Sequence, residues 1–188
     1  MQLAFEKALV EQCAPTLAGI KPASLFRISG SDSSVIRSLA NIWDQRLQPL
    51  GIRIQVLKEC LQTHACLIYV YRHAELAKLL ENKNNLEFLV QNGYQPQDPD
   101  GILTQLSERL CLEREFPHEI GIFLGYPLSD VIGFMENQGR NYTYCGYWKS
   151  YGDPENAKQC CARYRSCTCA YKEMYNRGTP FIQLVVAA

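Results

Sequence analysis

Two runs set the fold: Ile52-Arg53-Ile54-Gln55-Val56 and, a short interval later, Cys66-Leu67-Ile68-Tyr69-Val70-Tyr71. In the first, apolar and polar residues alternate, which is the period of a strand buried on one face. The second is apolar throughout and rich in β-branched and aromatic residues, as in a central strand covered on both faces. The connection between them is too short for a helical crossover, so the two strands are expected to pair antiparallel.

Outward from this pair, Ser24–Ser29 reads as a further strand. Before it, residues 2–20 carry Leu3, Leu9, Val10, Cys13 and Leu17 at helical spacing, with Pro15 as a kink or early stop. After it, Gly30-Ser31-Asp32-Ser33-Ser34 supplies a turn and N-cap for a helix bearing Val35, Ile36, Leu39, Ile42, Trp43, Leu47 and Leu50, closed by Pro49 and Gly51. Downstream, helices are expected near 74–81, 85–92 and around Leu103, Leu106 and Leu110. Ile120–Leu124 reads as a short strand, with a buried helical turn as the alternative. Pro127 opens a helix with Val131, Ile132 and Met135 on its inner face. Tyr142–Tyr151 reads as a strand, Asp153-Pro154-Glu155 as a helix start, and Phe181–Val186 as a final strand. The expected fold is α/β or α+β: a single domain over residues 1–188, a mixed β-sheet flanked by helices, and a long C-terminal helix reaching Arg177.

The chain has 188 residues, enough for one sizeable core. Its 19 Lys and Arg balance 19 Asp and Glu, so no global field draws in nucleic acid or an anionic membrane. No apolar run approaches a bilayer span and the N-terminus lacks a signal-peptide core, so a cytoplasmic protein is expected. Nine cysteines make the chain cysteine-rich. The odd number and absent export signal argue against a disulfide framework. Cys160, Cys161, Cys167 and Cys169 fall on one helix, where Cys160 and Cys167 stand about 10 Å apart along the axis, too far to share one metal ion. Cys160, Tyr164, Cys167, Tyr171 and Met174 form an inner stripe instead, leaving Cys161 and Cys169 as candidates for exposure. Asp32 near a helix start reads as a cap rather than part of an anion site, and His64 and His73 read as surface residues.

The chemistry concentrates between Phe116 and Asp153. His118 and Glu119 precede a glycine-spaced apolar segment, and an imidazole beside a carboxylate suits proton transfer or ligand binding. Consecutive strand residues face opposite ways, however, so the two need not act together. Cys145-Gly146-Tyr147-Trp148-Lys149 adds a thiol, a close-approach glycine and aromatics beside a cation, a set suited equally to stacking on a planar ligand and to packing on the last helix.

Three segments carry a resemblance. Cys13-Ala14-Pro15-Thr16-Leu17 through Phe26, His118-Glu119-Ile120-Gly121-Ile122-Phe123-Leu124-Gly125-Tyr126-Pro127, and Cys145 through Asp153 together resemble DUF3793, a bacterial domain family of unknown function found mostly in anaerobic Gram-positive species. The resemblance implies no defined activity or cofactor; its loose association with flavodoxin-type and iron-handling neighbours points to redox or iron metabolism. It pairs Cys13 with the Phe116–Asp153 block.

Three functions follow as expectations. The leading one is an accessory protein binding a small ligand or metal-containing cofactor through Cys13, His118, Glu119, Cys145, Tyr147, Trp148 and Lys149. The second is a thiol enzyme with Cys145 or Cys13 as nucleophile and His118 as base. The third is an interaction module for a small redox protein, using the Tyr142–Tyr151 aromatics.

Overall fold

The structure is a computed structural model describing residues 2–30, 32–60, 62–112 and 116–187. Helix α1 (Gln2–Leu17) leads into β1 (Ala23–Ser29), α2 (Ser33–Leu47), a 3-10 turn, β2 (Ile52–Cys60) and β3 (Ala65–Arg72). Helices α3 (His73–Glu81), α4 (Lys83–Gln91), α5 (Pro99–Leu112), α6 (Ile120–Phe123) and α7 (Leu128–Glu136) follow. A small hairpin, β4 (Tyr144–Cys145) and β5 (Lys149–Ser150), precedes α8 (Pro154–Asn176).

The main sheet has order β1-β3-β2, and both pairings are antiparallel. Helices flank a small antiparallel sheet rather than a mixed one, because the tight β2–β3 connection and the return from β1 through α2 leave no parallel neighbours. Alternation along β3 then divides the interior. Cys66, Ile68 and Val70 join Phe26, Ile52 and Ile54 beneath α1 and α2, with Trp43, Leu47 and Phe181 in the same core. Leu67, Tyr69 and Tyr71 point the other way, into a core built from α3, α4, α5, α6 and α7. A bulge between Val56 and Lys58 turns Leu57 into this second core and extends β2 beyond the alternating run. The Leu57 carbonyl, freed from the ladder, accepts from Ser107 Oγ at 2.6 Å.

Capping follows the expected chemistry where local signals are strong. Asp32 accepts from the Ser34 backbone at 2.8 Å at the head of α2, and Asp153 accepts from Glu155 at the head of α8. Gly51, at φ 76°, closes the turn after α2 in the left-handed region.

Four expectations need correction. Ile120–Phe123 is the buried helical turn given as the alternative, not a strand. Gly125 ends it at φ +74°, with the Tyr126 amide bonded to the Gly121 carbonyl and the Gly125 amide to that of Ile122. This is a Schellman stop, followed by the proline that often succeeds one. Tyr142–Tyr151 is not a continuous strand: it folds back into two-residue strands, Tyr144 facing Ser150 and Cys145 facing Lys149. Phe181–Leu184 forms a 3-10 turn that buries Phe181 and Leu184 instead of adding a strand. On α8 the buried face is Ala157, Cys161 and Tyr164, whereas Cys160 is half-buried and Met174 exposed. The hairpin covers the turn carrying Cys161 and buries it more deeply than Cys160, while Tyr164, Cys167 and Tyr171 of the predicted stripe do face inward.

The Tyr69 hydroxyl, fully buried, donates to the Phe123 carbonyl at 2.5 Å and ties β3 to α6. Tyr69→Phe leaves that carbonyl unpaired and should lower unfolding free energy by about 1–3 kcal/mol. Urea denaturation reads this as a lower midpoint at unchanged slope; an unchanged midpoint would remove the bond from the account.

Candidate functional site

A cavity of about 230 Å³ opens where β1, α6, α7 and the hairpin meet. Leu25 of β1, Ile120, Gly121 and Leu124 from α6 and its C-terminal cap, and Val131 and Phe134 of α7 form its apolar walls. Phe116 and His118 stand ahead of α6, Tyr126 and Asp130 on the α7 side, and Trp148 and Lys149 arrive from the hairpin. The cavity thus gathers His118, Trp148 and Lys149 from the residues expected to act together.

The remaining four lie elsewhere. Glu119 is buried and faces α5, where it pairs with Arg109 at 3.2 Å and accepts from the Tyr94 hydroxyl at 3.2 Å. Arg109 also lies over the Tyr94 ring at 4.8 Å and donates to the Asn92 carbonyl. Glu119 therefore locks α6 to α5, back to back with His118. Cys13 is fully buried in the core beneath α1, and burial pushes its thiol up to about 12. Cys145 is exposed on the hairpin and does not line the cavity. Tyr147 packs edge-on against Tyr164 at 5.3 Å, fastening the hairpin to α8.

Asp130 organises the site, and the sequence reading passed over it. Its carboxylate is buried and accepts from Trp148 Nε1 at 2.7 Å, Ser150 Oγ at 3.2 Å and the backbone amides of Tyr151 and Gly152 at 2.7 and 3.2 Å. Four donors compensate the buried charge, as a desolvated carboxylate requires. Trp148 is thereby held flat against Tyr126, ring centroids 5.2 Å apart. Tyr126 in turn donates to the Tyr147 carbonyl at 3.1 Å, and burial lifts its hydroxyl to about 12, so it remains a donor at neutral pH.

Two glycines let the hairpin approach this closely. A Cβ at Gly133 would sit 2.6 Å from Tyr151 Cγ, and one at Gly146 would sit 2.6 Å from Cys161 Sγ. Cys161, expected as an exposed thiol, is fully buried beneath the hairpin and accepts from the Tyr147 amide at 3.4 Å.

Lys149 is half-buried. Its Nζ donates to the Gly139 carbonyl at 2.7 Å and lies 5.0 Å from the Tyr142 ring and 5.7 Å from that of Phe134. The His118 ring packs against the same Phe134 at 4.8 Å. The N-terminal motif reaches this region through residues other than Cys13: Pro22 lies against Gly125, Leu25 lines the cavity, and Lys21 sits 5.3 Å from the Tyr126 ring. Lys21 is buried, donates to the Ala23 carbonyl, and is lowered by that burial to about 8.

Among the described residues no three His, Cys, Asp or Glu side chains are grouped to hold a metal ion. Nor, among those residues, is any helix long and apolar enough to cross a membrane. The model of one family, described as "Protein of unknown function (DUF3793)", matches residues 9–185. The chain belongs to that family. Comparison of this DUF3793 chain with curated proteins and with solved structures finds no match.

Two predictions follow from this DUF3793 site. Asp130→Ala strips four donors of their acceptor and should cost about 3 kcal/mol, with Trp148 emission shifting to the red as its ring detaches; Trp148→Phe identifies the reporting indole. For Lys21, whose ordinary value is 10.5, the unfolded chain keeps a proton that the fold has lost between about pH 8 and 10.5. Stability should therefore rise with pH across that window. Cys13 carries the opposite sign: raised to about 12 from 9.0, it makes stability fall as pH climbs above 9. Lys21→Met should flatten the rise between pH 8 and 9 and add about 2–3 kcal/mol at pH 7. Denaturation curves at each pH test this; an unchanged slope in the variant contradicts it.

Proposed function

We propose that this protein is an accessory protein that binds a small organic ligand in the cavity between β1, α6, α7 and the hairpin, with no chemistry of its own. The supporting observation is the cavity's composition: an apolar, aromatic interior with a few polar groups at its rim, the usual make-up of a small-molecule site. An organic ligand suits these walls better than a metal centre, since His118 is unaccompanied there by a second imidazole or any thiolate.

The thiol-enzyme reading has less support. Cys13 is buried in the other core with a raised pKa, and Cys145 lies outside the cavity that His118 lines. The interaction reading retains one observation, the exposure of Phe116, Tyr142 and Tyr147. Of these rings Phe116 lines the cavity, whereas Tyr147 packs on Tyr164 of α8 and Tyr142 lies over Lys149, so they form no single patch, which favours a ligand over a docked redox protein.

Toluene titrated into isotope-labelled protein should shift the amide resonances of Gly121, Val131 and Lys149 and leave those of β2 in place. Leu25→Trp, which fills the cavity from β1, should abolish the shifts with the circular dichroism spectrum unchanged, and Cys145→Ser should leave them intact. If no shift appears at millimolar probe, the ligand-binding reading fails.

A further inference from the structure

Resting on that reading, we propose that the ligand is a small aromatic carboxylate, with its ring in the apolar interior and its acid group at Lys149 beside His118.

The charge argument starts from Lys149. Its ammonium is half-desolvated, held by two ring faces and the Gly139 carbonyl, and has no carboxylate partner among the described residues. One carbonyl uses one of its three donors, leaving two for an anion. The carboxylate in the cavity wall, Asp130, does not compete, because its oxygens are committed to Trp148, Ser150, Tyr151 and Gly152. His118 flanks Phe134, as Lys149 does, and adds a second polar group near the same ring. A carboxylate placed there gains charge-assisted hydrogen bonds in a partly water-excluded setting.

Size and wall chemistry set the rest of the ligand. A dry cavity of about 150 Å³ holds benzene. The cavity here, about 230 Å³, has room for one ring with a short acid tail. A nucleotide or a fatty chain would extend well beyond these walls into solvent. Tyr126, Phe134 and Trp148 present faces and edges that favour a flat aromatic over a saturated ring.

The test is calorimetric titration with phenylacetate, phenylacetamide and cyclohexylacetate. Phenylacetate should bind about tenfold tighter than the amide and a few-fold tighter than the saturated acid. Lys149→Met should reduce phenylacetate to the level of the amide while toluene binding persists, and Lys149→Arg should restore most of the acid preference. Persisting toluene binding separates lost charge from lost fold. Equal affinity for acid and amide, or an acid preference that survives Lys149→Met, overturns the carboxylate assignment. Equal affinity for the saturated acid overturns the aromatic one. If toluene binds and neither phenyl compound does, this inference falls and the ligand-binding reading stands; if toluene also fails, both fall.

Discussion

Burial of β3 on both faces forces the chain to build two cores. Cys66, Ile68 and Val70 need a cover of helices on one side, and Leu67, Tyr69 and Tyr71 need another on the opposite side. Helices α1 and α2 provide the first. The second is assembled from shorter helices, α3, α4, α5, α6 and α7, and a hollow is left where α6 and α7 meet β1. The cavity is a by-product of covering the second face with short elements, edged by groups that stay polar.

Asp130 converts that hollow into a defined site. A buried carboxylate must find donors, and those it finds come from the hairpin and the chain just after it. The requirement carries Trp148 and Lys149 to the cavity, and Gly133 and Gly146 permit the close contact. Tyr126 braces the arrangement from the α6–α7 turn, with Lys21 beneath it. The site is therefore held by hydrogen bonds among segments distant in sequence.

Strong local signals made much of the fold legible. Alternation in Ile52–Val56 and the apolar run Cys66–Tyr71 placed two strands and their antiparallel pairing. Asp32 and the Asp153-Pro154 pair placed two helix starts. The Leu124-Gly125-Tyr126-Pro127 stop was also written locally, and it identifies α6 as helical once Gly125 is read as a left-handed cap. The apolar run before it misleads because a turn buried all round has no period to display. In the hairpin, alternation of Tyr142, Tyr144 and Trp148 with Thr143, Cys145 and Tyr147 looked like one strand, but the chain reverses within it, so only side-chain partners reveal the fold.

From the residues alone came the sheet's central pair, the helix caps, the family membership, and three of the residues, His118, Trp148 and Lys149, that line the candidate cavity. Tertiary structure alone gave Glu119 its partners Arg109 and Tyr94, sent Cys13 into the opposite core, and selected His118, Lys149 and Trp148 as cavity residues. The reason is physical: periodicity and capping act over a few residues and are visible locally. A buried charge such as Asp130 selects its partners by distance in space, which one-dimensional spacing does not encode.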